Sequence, residues 1–495
     1  MFMGKNIEQT DFKAADYNSF TERLYECLAT LRTTIETPGF GEGEITLGAE
    51  LESYIVDKTA QATPINDILL RELDDSQFQH ELNRYNLEYN LSPVPARGAP
   101  FTAMGQEITH ALAKSSKAAE RHQCKIVAIG ILPTLKVGNL HPDNMTDVGR
   151  YHMLYKGLQK LRGSSFEVNI NGEDPLQLTS NHVTLEGANT SLQLHLKVPP
   201  DQFANSFNAA QIATPLAIAL SANSPTLLGH RLWQETRIAL FKQSIDSRHR
   251  NDVVWRQPSR VTYGHGWVRK SALELFQETV ALYPPIFPIL SDTAPQADAF
   301  PPTLSELNLH MGTTWPWNRA VYGAGDGGHL RIEMRALPSG PTADDMMANA
   351  AFLIGLTMGL SDQMRDVLPS MPFRFSEHNF YRAAQCGLKS RILWPEEHQS
   401  QPTEQPITDV ILRLLPRMEE GLDMLGVNSA EVRRYRTLVE NRVRSGLTGA
   451  RWQRLMLKYY LEQALSPEES YQAMTLKYMA EQQSGRPVVD WSLSP

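Results

Sequence analysis

The chain has 495 residues, 41% hydrophobic and 21% charged; these globular proportions exclude a disordered, collagen-like or coiled-coil chain. Lys and Arg total 47 against 55 Asp and Glu, a net charge of −8, which argues against a general nucleic-acid binder but leaves open an anionic ligand held through metal ions. Cys27, Cys124 and Cys386 are too few and too far apart for a disulfide framework or zinc ribbon, so a reducing compartment is expected. The first residues show no apolar core of a secretory signal. The runs ATPLAIALSA and NAAFLIGLTMGL fall short of the roughly 18 residues of a membrane span. The expectation is a cytoplasmic protein with no membrane partner.

In chain order, Phe20, Leu24, Leu28, Leu31 and Ile35 recur at helical spacing, predicting a helix over 16–37 that stops at Pro38-Gly39. From about 45 to 200 the pattern turns to short alternating segments, with a helical stretch at 102–121. Helical spacing returns at 204–243. Six prolines between 283 and 303 mark an irregular loop. Strand-like sequence resumes at 305–337. A long helix is expected from Thr342, with Asp344 and Asp345 in its first turn, where the helix dipole favours acids. Residues 389–407 are polar and read as a linker, and 408–482 are mostly helical. The predicted class is α+β, an antiparallel sheet flanked by helices. Its parts are a body over 1–388, the linker, and a helical C-terminal region over 408–495 that either packs on the body or serves oligomerisation.

No P-loop, H-E-x-x-H or G-x-S-x-G motif occurs, and no G-x-G-x-x-G is expected to follow a strand. Any nucleotide must therefore be held by other means. Four strands carry charge on one face instead. In GAELESYIVD, alternation sets Leu47, Ala49, Leu51 and Ile55 against Glu50, Glu52 and Tyr54, with the two carboxylates about 7 Å apart. In HELNRYNLEYNLSP, Glu88 shares a polar face with Asn86 and Asn90; Glu81 joins it only if a bend or bulge intervenes. TSLQLHLKV places His195 beside Gln193 and Lys197, and HLRIEMRALPSGPT aligns His329, Arg331, Glu333 and Arg335. Each face taken alone is ordinary for a half-wet sheet. Gathered on one sheet, five acids would crowd together, and two carboxylates 5 Å apart repel by about 3 kcal/mol at an effective dielectric near 20. Oxygen ligands plus one imidazole suit Mg²⁺ or Mn²⁺, which would offset that charge and leave room for phosphates.

These segments, with ALSANSPTLLGHRLWQETRIALF, resemble the glutamate–cysteine ligase superfamily, specifically its second, bacterial-and-plant type and the related carboxylate–amine ligases. The likeness runs in order from about residue 44 to 360. It implies a glutamine synthetase-like sheet forming a concave active site, ATP and Mg²⁺ (or Mn²⁺) as cofactors, and a place in glutathione biosynthesis. By resemblance, Glu52, Glu81 and Glu88 would hold one ion, and Glu50, His195 and Glu333 a second. Arg335 would face the ATP phosphates, and Arg237, after the ANSP stretch, the substrate carboxylate. The implied reaction is ATP-dependent amide formation between a carboxylate, glutamate by family habit, and an amine such as cysteine, through an acyl phosphate. Trp315, Trp317, Asn318 and Arg319 depart from the family pattern and read as a packed loop or as a wall for a different amine. A metal-dependent hydrolase and a catalytically silent nucleotide- or amino-acid-binding relative are the competing readings.

Overall fold

The computed structural model describes residues 12–248, 257–292, 295, 300–325, 327–395 and 401–494. Most of the N-terminal segment read for a secretory signal lies outside these residues, as do 293–294, 296–299 and 396–400 of the proline-rich and linker segments. Alternation makes Thr46–Asp57 a twelve-residue strand, β1, which centres an eight-stranded sheet. The others are β2 (Phe78–His80), β3 (Asn86–Asn90), β4 (Val94–Pro95), β5 (Cys124–Val127), β6 (Leu192–Val198), β7 (Asn318–Gly323) and β8 (His329–Met334). The order is β7-β8-β6-β1-β3-β2, with β4 pairing the start of β1 and β5 its end, every pair antiparallel.

The apolar faces of these strands pack in one core, and a second buried cluster holds Tyr54, Tyr85, Trp452 and Tyr478; helices flank both. These are α1 (Ala14–Glu36), α2 (Pro100–Glu120), α3 (Phe203–Ser221), α4 (Arg237–Ser244), α5 (Ala343–Ser361), α6 (Phe373–Cys386), α7 (Ile407–Met424), α8 (Ser429–Ser445), α9 (Gly449–Leu461) and α10 (Pro467–Gln483). The apolar runs noted in the sequence lie in α3 and α5, which are buried along almost their whole length, and α5 packs between α3 and α7. No helix among the described residues is long and apolar enough to cross a membrane. Thr342 caps α5 by accepting from the Asp345 N–H at 3.2 Å, as the acidic first turn suggested.

Five expectations are corrected. The segment through Glu81 and Glu88 is two strands rather than one bent strand: Gln79 lies opposite Glu88, and residues 81–85 form the turn. Asn83 holds that turn, its amide donating to the Tyr85 hydroxyl at 2.7 Å and the Thr184 carbonyl at 2.8 Å. The 204–243 stretch is two helices, because the chain leaves α3 at Ala222 ahead of Pro225 and restarts at Arg237. Ser305–Met311 is a short helix, not a strand, since Leu304, Leu307 and Met311 recur at i, i+3 and i+7 and are buried. A G-x-G-x-x-G spacing does follow a strand, at Gly323, Gly325 and Gly328, but it leads from β7 into antiparallel β8 and opens no helix, so the phosphate cradle of a βαβ unit is lacking there. Within the expected linker, Arg391–Trp394 and Thr403–Pro406 pair as an antiparallel ribbon, and α7 begins at the next residue.

Helices α7 and α8 share the core of the sheet, with Val410, Ile411, Leu415 and Met418 buried. Helix α7 crosses α5 at Gly355, Gly359 and Gly421. A Cβ at Gly421 would strike the Gly355 carbonyl, and one at Gly359 the Arg417 carbonyl. Only hydrogen lets the backbones approach this closely. Gly421→Val is therefore expected to destabilise the fold by about 2 kcal/mol or more, as overpacking does. The check is a clear drop in the thermal midpoint by circular dichroism; an unchanged midpoint would contradict the crossing.

Candidate active site

Register decides which side chains meet. Across the sheet, Arg319, Glu333, His195 and Gly48 lie opposite one another on β7, β8, β6 and β1. The next row runs Gln193, Glu50, Asn90, and the next Glu52, Glu88, Gln79. Like charges directly opposite, as Glu52 and Glu88 are, destabilise a ladder. Gly48 presents no side chain to His195, which reaches diagonally to Glu50 instead. Its Nε2 lies 2.9 Å from Glu50 Oε1, while Nδ1 accepts from Arg331 Nε at 3.2 Å. An imidazole that accepts at Nδ1 carries its proton on Nε2, so it donates to Glu50.

Three carboxylates converge. Oxygens of Glu52, Glu81 and Glu88 lie within 4.8 Å of one another, from β1, the turn after β2, and β3. Each is anchored. Glu52, 8% exposed, accepts from the Ser191 N–H at 2.7 Å, the Ser191 hydroxyl at 2.9 Å and Gln193 Nε2 at 2.9 Å. Glu81 accepts from the Leu82 N–H at 2.7 Å, and Glu88 from Asn90 Nδ2 at 2.8 Å. The Tyr54 and Tyr85 rings stack nearby at 5.9 Å, both fully buried.

The electrostatics are unbalanced. Burial, followed by the charge of Glu81, pushes the Glu52 carboxyl up to about 7. Burial and then Glu50, Glu81 and Glu52 hold Glu88 well above the usual carboxylate range. A further acid belongs to this crowd: Glu186, on the short turn of helix Val183–Ala188, is pushed up by burial and by Glu81 and Glu52. An all-oxygen cluster that cannot ionise fully on its own fits a hard divalent cation.

The remaining acids are neutralised from within. Glu333, 2% exposed, receives Arg319 Nη2 at 2.7 Å on one oxygen and Arg335 Nη1 on the other. Burial opposes its ionisation, but Arg319 and Arg335 outweigh that and hold the carboxyl far below its usual range. Burial likewise pushes Glu50 up, yet His195 and Arg335 bring it below normal. Arg335 also donates to Gln193 Oε1 at 2.5 Å, and its buried Nε has no partner among the described residues. Arg237 sits behind Glu52, 3% exposed. Its Nη1 donates to Glu235 and to the Ala336 carbonyl, both at 3.1 Å, and its Nε is also unpartnered. The structure thus gathers Glu52, Glu81 and Glu88 at one point and Glu50, His195, Glu333 and Arg335 beside it, while both oxygens of Glu333 and both nitrogens of His195 are already engaged.

Sequence reasoning missed Glu186, which stands in a segment without alternation, and the clamping role of Arg319. The departing cluster is mainly packing: Trp317 is 1% exposed and Asn318 donates to Gln211 Oε1 at 2.6 Å on the helix side of the sheet. Arg319, one residue on, faces the acids.

Residues 46–273 match the family model described as Glutamate-cysteine ligase family 2. The match includes Glu50, Glu52, Glu81, Glu88, His195 and Arg237 and ends before Glu333 and Arg335. A Trichormus variabilis protein provisionally named glutamate–cysteine ligase 2 is 24% identical over 290 residues, 56% of this chain and 61% of that protein, so less than two thirds of the relative is spanned. In fold the chain is similar to the crystal structure of glutamate–cysteine ligase from Francisella tularensis in complex with AMP. The TM-score is 0.55 at 12% identity, over 92% of this chain and 91% of that one. A bifunctional glutathione synthetase structure from Pasteurella multocida aligns with a TM-score of 0.42 at 12% identity, over 92% of this chain and 54% of that one.

The raised carboxyls set a pH dependence. In the unfolded chain Glu52 releases its proton near 4.5, and in the folded chain near 7. Its contribution to stability is therefore complete below about pH 4.5 and lost as pH rises through about 7. Glu88 acts in the same sense. Glu50 and Glu333, held low, act oppositely and only on the acid side of the ordinary carboxylate range. Chelator-treated protein is expected to lose thermal stability between about pH 5 and pH 8, and Mg²⁺ or Mn²⁺ to restore more of it at the upper end. Melting curves across that range with and without the ions provide the check; no response to either ion at any pH would count against a cation at Glu52, Glu81 and Glu88.

Proposed function

We propose that this chain is an ATP-dependent carboxylate–amine ligase of the glutamate–cysteine ligase kind, joining glutamate to cysteine or another amine. The observation that carries the reading is the convergence of Glu52, Glu81 and Glu88 on one point, with Arg335 alongside. Bound Mg²⁺ would neutralise phosphate charge as the γ-phosphoryl group of ATP moves. In the reaction, a substrate carboxylate oxygen attacks the γ-phosphorus, the bond to the bridging oxygen breaks, and ADP leaves. The amine nitrogen then attacks the acyl carbon, the bond to the phosphate oxygen breaks, and the amine gives up a proton.

The chain's own residues supply positioning and charge. Glu52, Glu81 and Glu88 would hold the first ion, with Glu186 close enough to add negative charge. Glu50, His195 and Glu333 would hold a second once Arg319 or Arg335 releases Glu333. Arg335, with an unpartnered Nε among the described residues and a planar fork of donors, would bind phosphate oxygens. Arg237 would orient the substrate carboxylate through its own unpartnered Nε. The AMP in the Francisella structure and the family match of residues 46–273 support a nucleotide ligand.

ADP release, followed with Mg²⁺ across amino acids supplied singly and in pairs, tests the reading: release should require one carboxylate and one amine together. Glu333→Gln and Arg335→Ala should each lower turnover by roughly 100-fold or more, the effect of losing one preorganised charge. Product formed without ATP would point to a hydrolase. Tight ATP binding without release under any pairing would point to a silent relative.

A further inference from the structure

On the β7–β8–β6 side of the charged face the chain supplies more cation than acid. Glu50 and Glu333 are the two carboxylates there, and Arg319, Arg331 and Arg335 bring three guanidiniums to Glu333 or to His195. With His195 neutral, one positive charge stands in surplus before any ion arrives. Arg319 occupies a whole oxygen: its Nη2 and Nε both donate to Glu333 Oε2, at 2.7 and 3.3 Å. An ion bonded to that oxygen at about 2.1 Å would stand within about 5 Å of Nη2, like charge against like. Arg319 is also firmly tied. It is 8% exposed, its Nη1 donates to the Met311 carbonyl at 3.2 Å, and strand register sets it directly opposite Glu333. A tethered cation of this kind competes with a free one at high effective concentration.

Arg331 closes the other ligand. A histidine that binds metal through one ring nitrogen donates from the other to an acceptor. Here Nδ1 of His195 meets a donor, Arg331 Nε at 3.2 Å, and Nε2 holds its proton toward Glu50 Oε1 at 2.9 Å. Neither nitrogen offers a lone pair to an ion while Arg331 stays in place. At Glu52, Glu81 and Glu88 the donors are neutral instead: backbone N–H groups, a hydroxyl and side-chain amides. We propose that Arg319 and Arg331 act as built-in counter-cations that keep the second cation place closed in the protein free of nucleotide, so that the chain takes up one divalent ion where its acids could hold two. The proposal rests on the ligase reading for the place of the first ion, at Glu52, Glu81 and Glu88, and adds an order: the second ion enters only when these arginines withdraw. Both are positioning residues, acting through Glu333 and His195.

The test counts ions and needs no turnover. The full chain, stripped with chelator and dialysed, is titrated with Mn²⁺ without nucleotide, and free Mn²⁺ is read from its electron paramagnetic resonance signal. The wild type should take up one Mn²⁺, with any further ion bound at least 100-fold more weakly. Arg319→Met and Arg331→Met should each bind a second Mn²⁺ at least 10-fold more tightly than the wild type does. Combining Arg319→Met with Glu333→Gln should remove that gain, which places the extra ion at Glu333; arginines that serve packing alone would leave every count unchanged. Glu88→Gln removes a repelling charge and poses the question without touching an arginine. With the first place damaged and the second closed, it should take up no Mn²⁺ in the range that fills the wild type. Two equally tight ions in the wild type, one tight ion persisting in Glu88→Gln, an unchanged second affinity in either folded arginine variant, or a gain that survives Glu333→Gln would each overturn the inference and leave the ligase reading standing. No Mn²⁺ uptake by the wild type would overturn both.

Discussion

Repulsion among carboxylates organises this molecule. One face of the sheet carries Glu50, Glu52, Glu81, Glu88 and Glu333, with Glu186 leaning in from a neighbouring turn. The face divides the problem in two. On the β7–β8–β6 side, Arg319, Arg335 and His195 neutralise Glu333 and Glu50 so completely that both acids ionise more readily than in water. On the β1–β3 side no cation among the described residues reaches in to the same effect, and Glu52 and Glu88 keep their protons to higher pH. The asymmetry amounts to a gradient of unmet negative charge across two or three strand spacings, steepest where three oxygens meet.

Such a gradient survives only on a stiff support, and the support comes from distant parts of the chain. Ser339 donates its hydroxyl to the Glu52 carbonyl at 2.6 Å, pinning the strand that carries two of the acids. The Ser339 carbonyl in turn accepts from Asn223 Nδ2 at 2.8 Å, which also donates to the Tyr478 hydroxyl at 2.9 Å, while Gln453 donates to Asn223 Oδ1 at 2.8 Å. The ANSP stretch is thus a buried knot joining the sheet, the loop after β8 and the helices α9 and α10. Glu235 completes it, accepting from the Asn223 N–H at 2.8 Å and the Ser224 hydroxyl at 2.7 Å, and fixing Arg237 at 3.1 Å.

Much of this was legible before any coordinates. Alternation alone assigned the faces of β1, β3, β6 and β8 correctly, because a period of two leaves no freedom once one face is apolar. What it could not supply was register and return. Glu81 reaches Glu88 through a hairpin, and the signal for that turn, Asn83 bonded to Thr184, depends on a residue 101 positions away. Glu186 sits where no periodicity exists. Arg319 could be noticed as unusual but not placed, since only the pairing of β7 with β8 sets it opposite Glu333. The ribbon within 389–407 escaped for a related reason: Arg391–Trp394 and Thr403–Pro406 are short and polar, and their pairing is a matter of tertiary context.

The contact between Asn223 and Tyr478 spans 255 positions of sequence, and Tyr478 lies close to the end of the described chain. During synthesis on the ribosome, β1 and its acids emerge first, followed by Asn223 and then Ser339. Asn223 does not have all of its neighbours until α10 clears the exit tunnel. The helix that carries Tyr478 is therefore a keystone, joined to the charged face through Asn223 and Ser339.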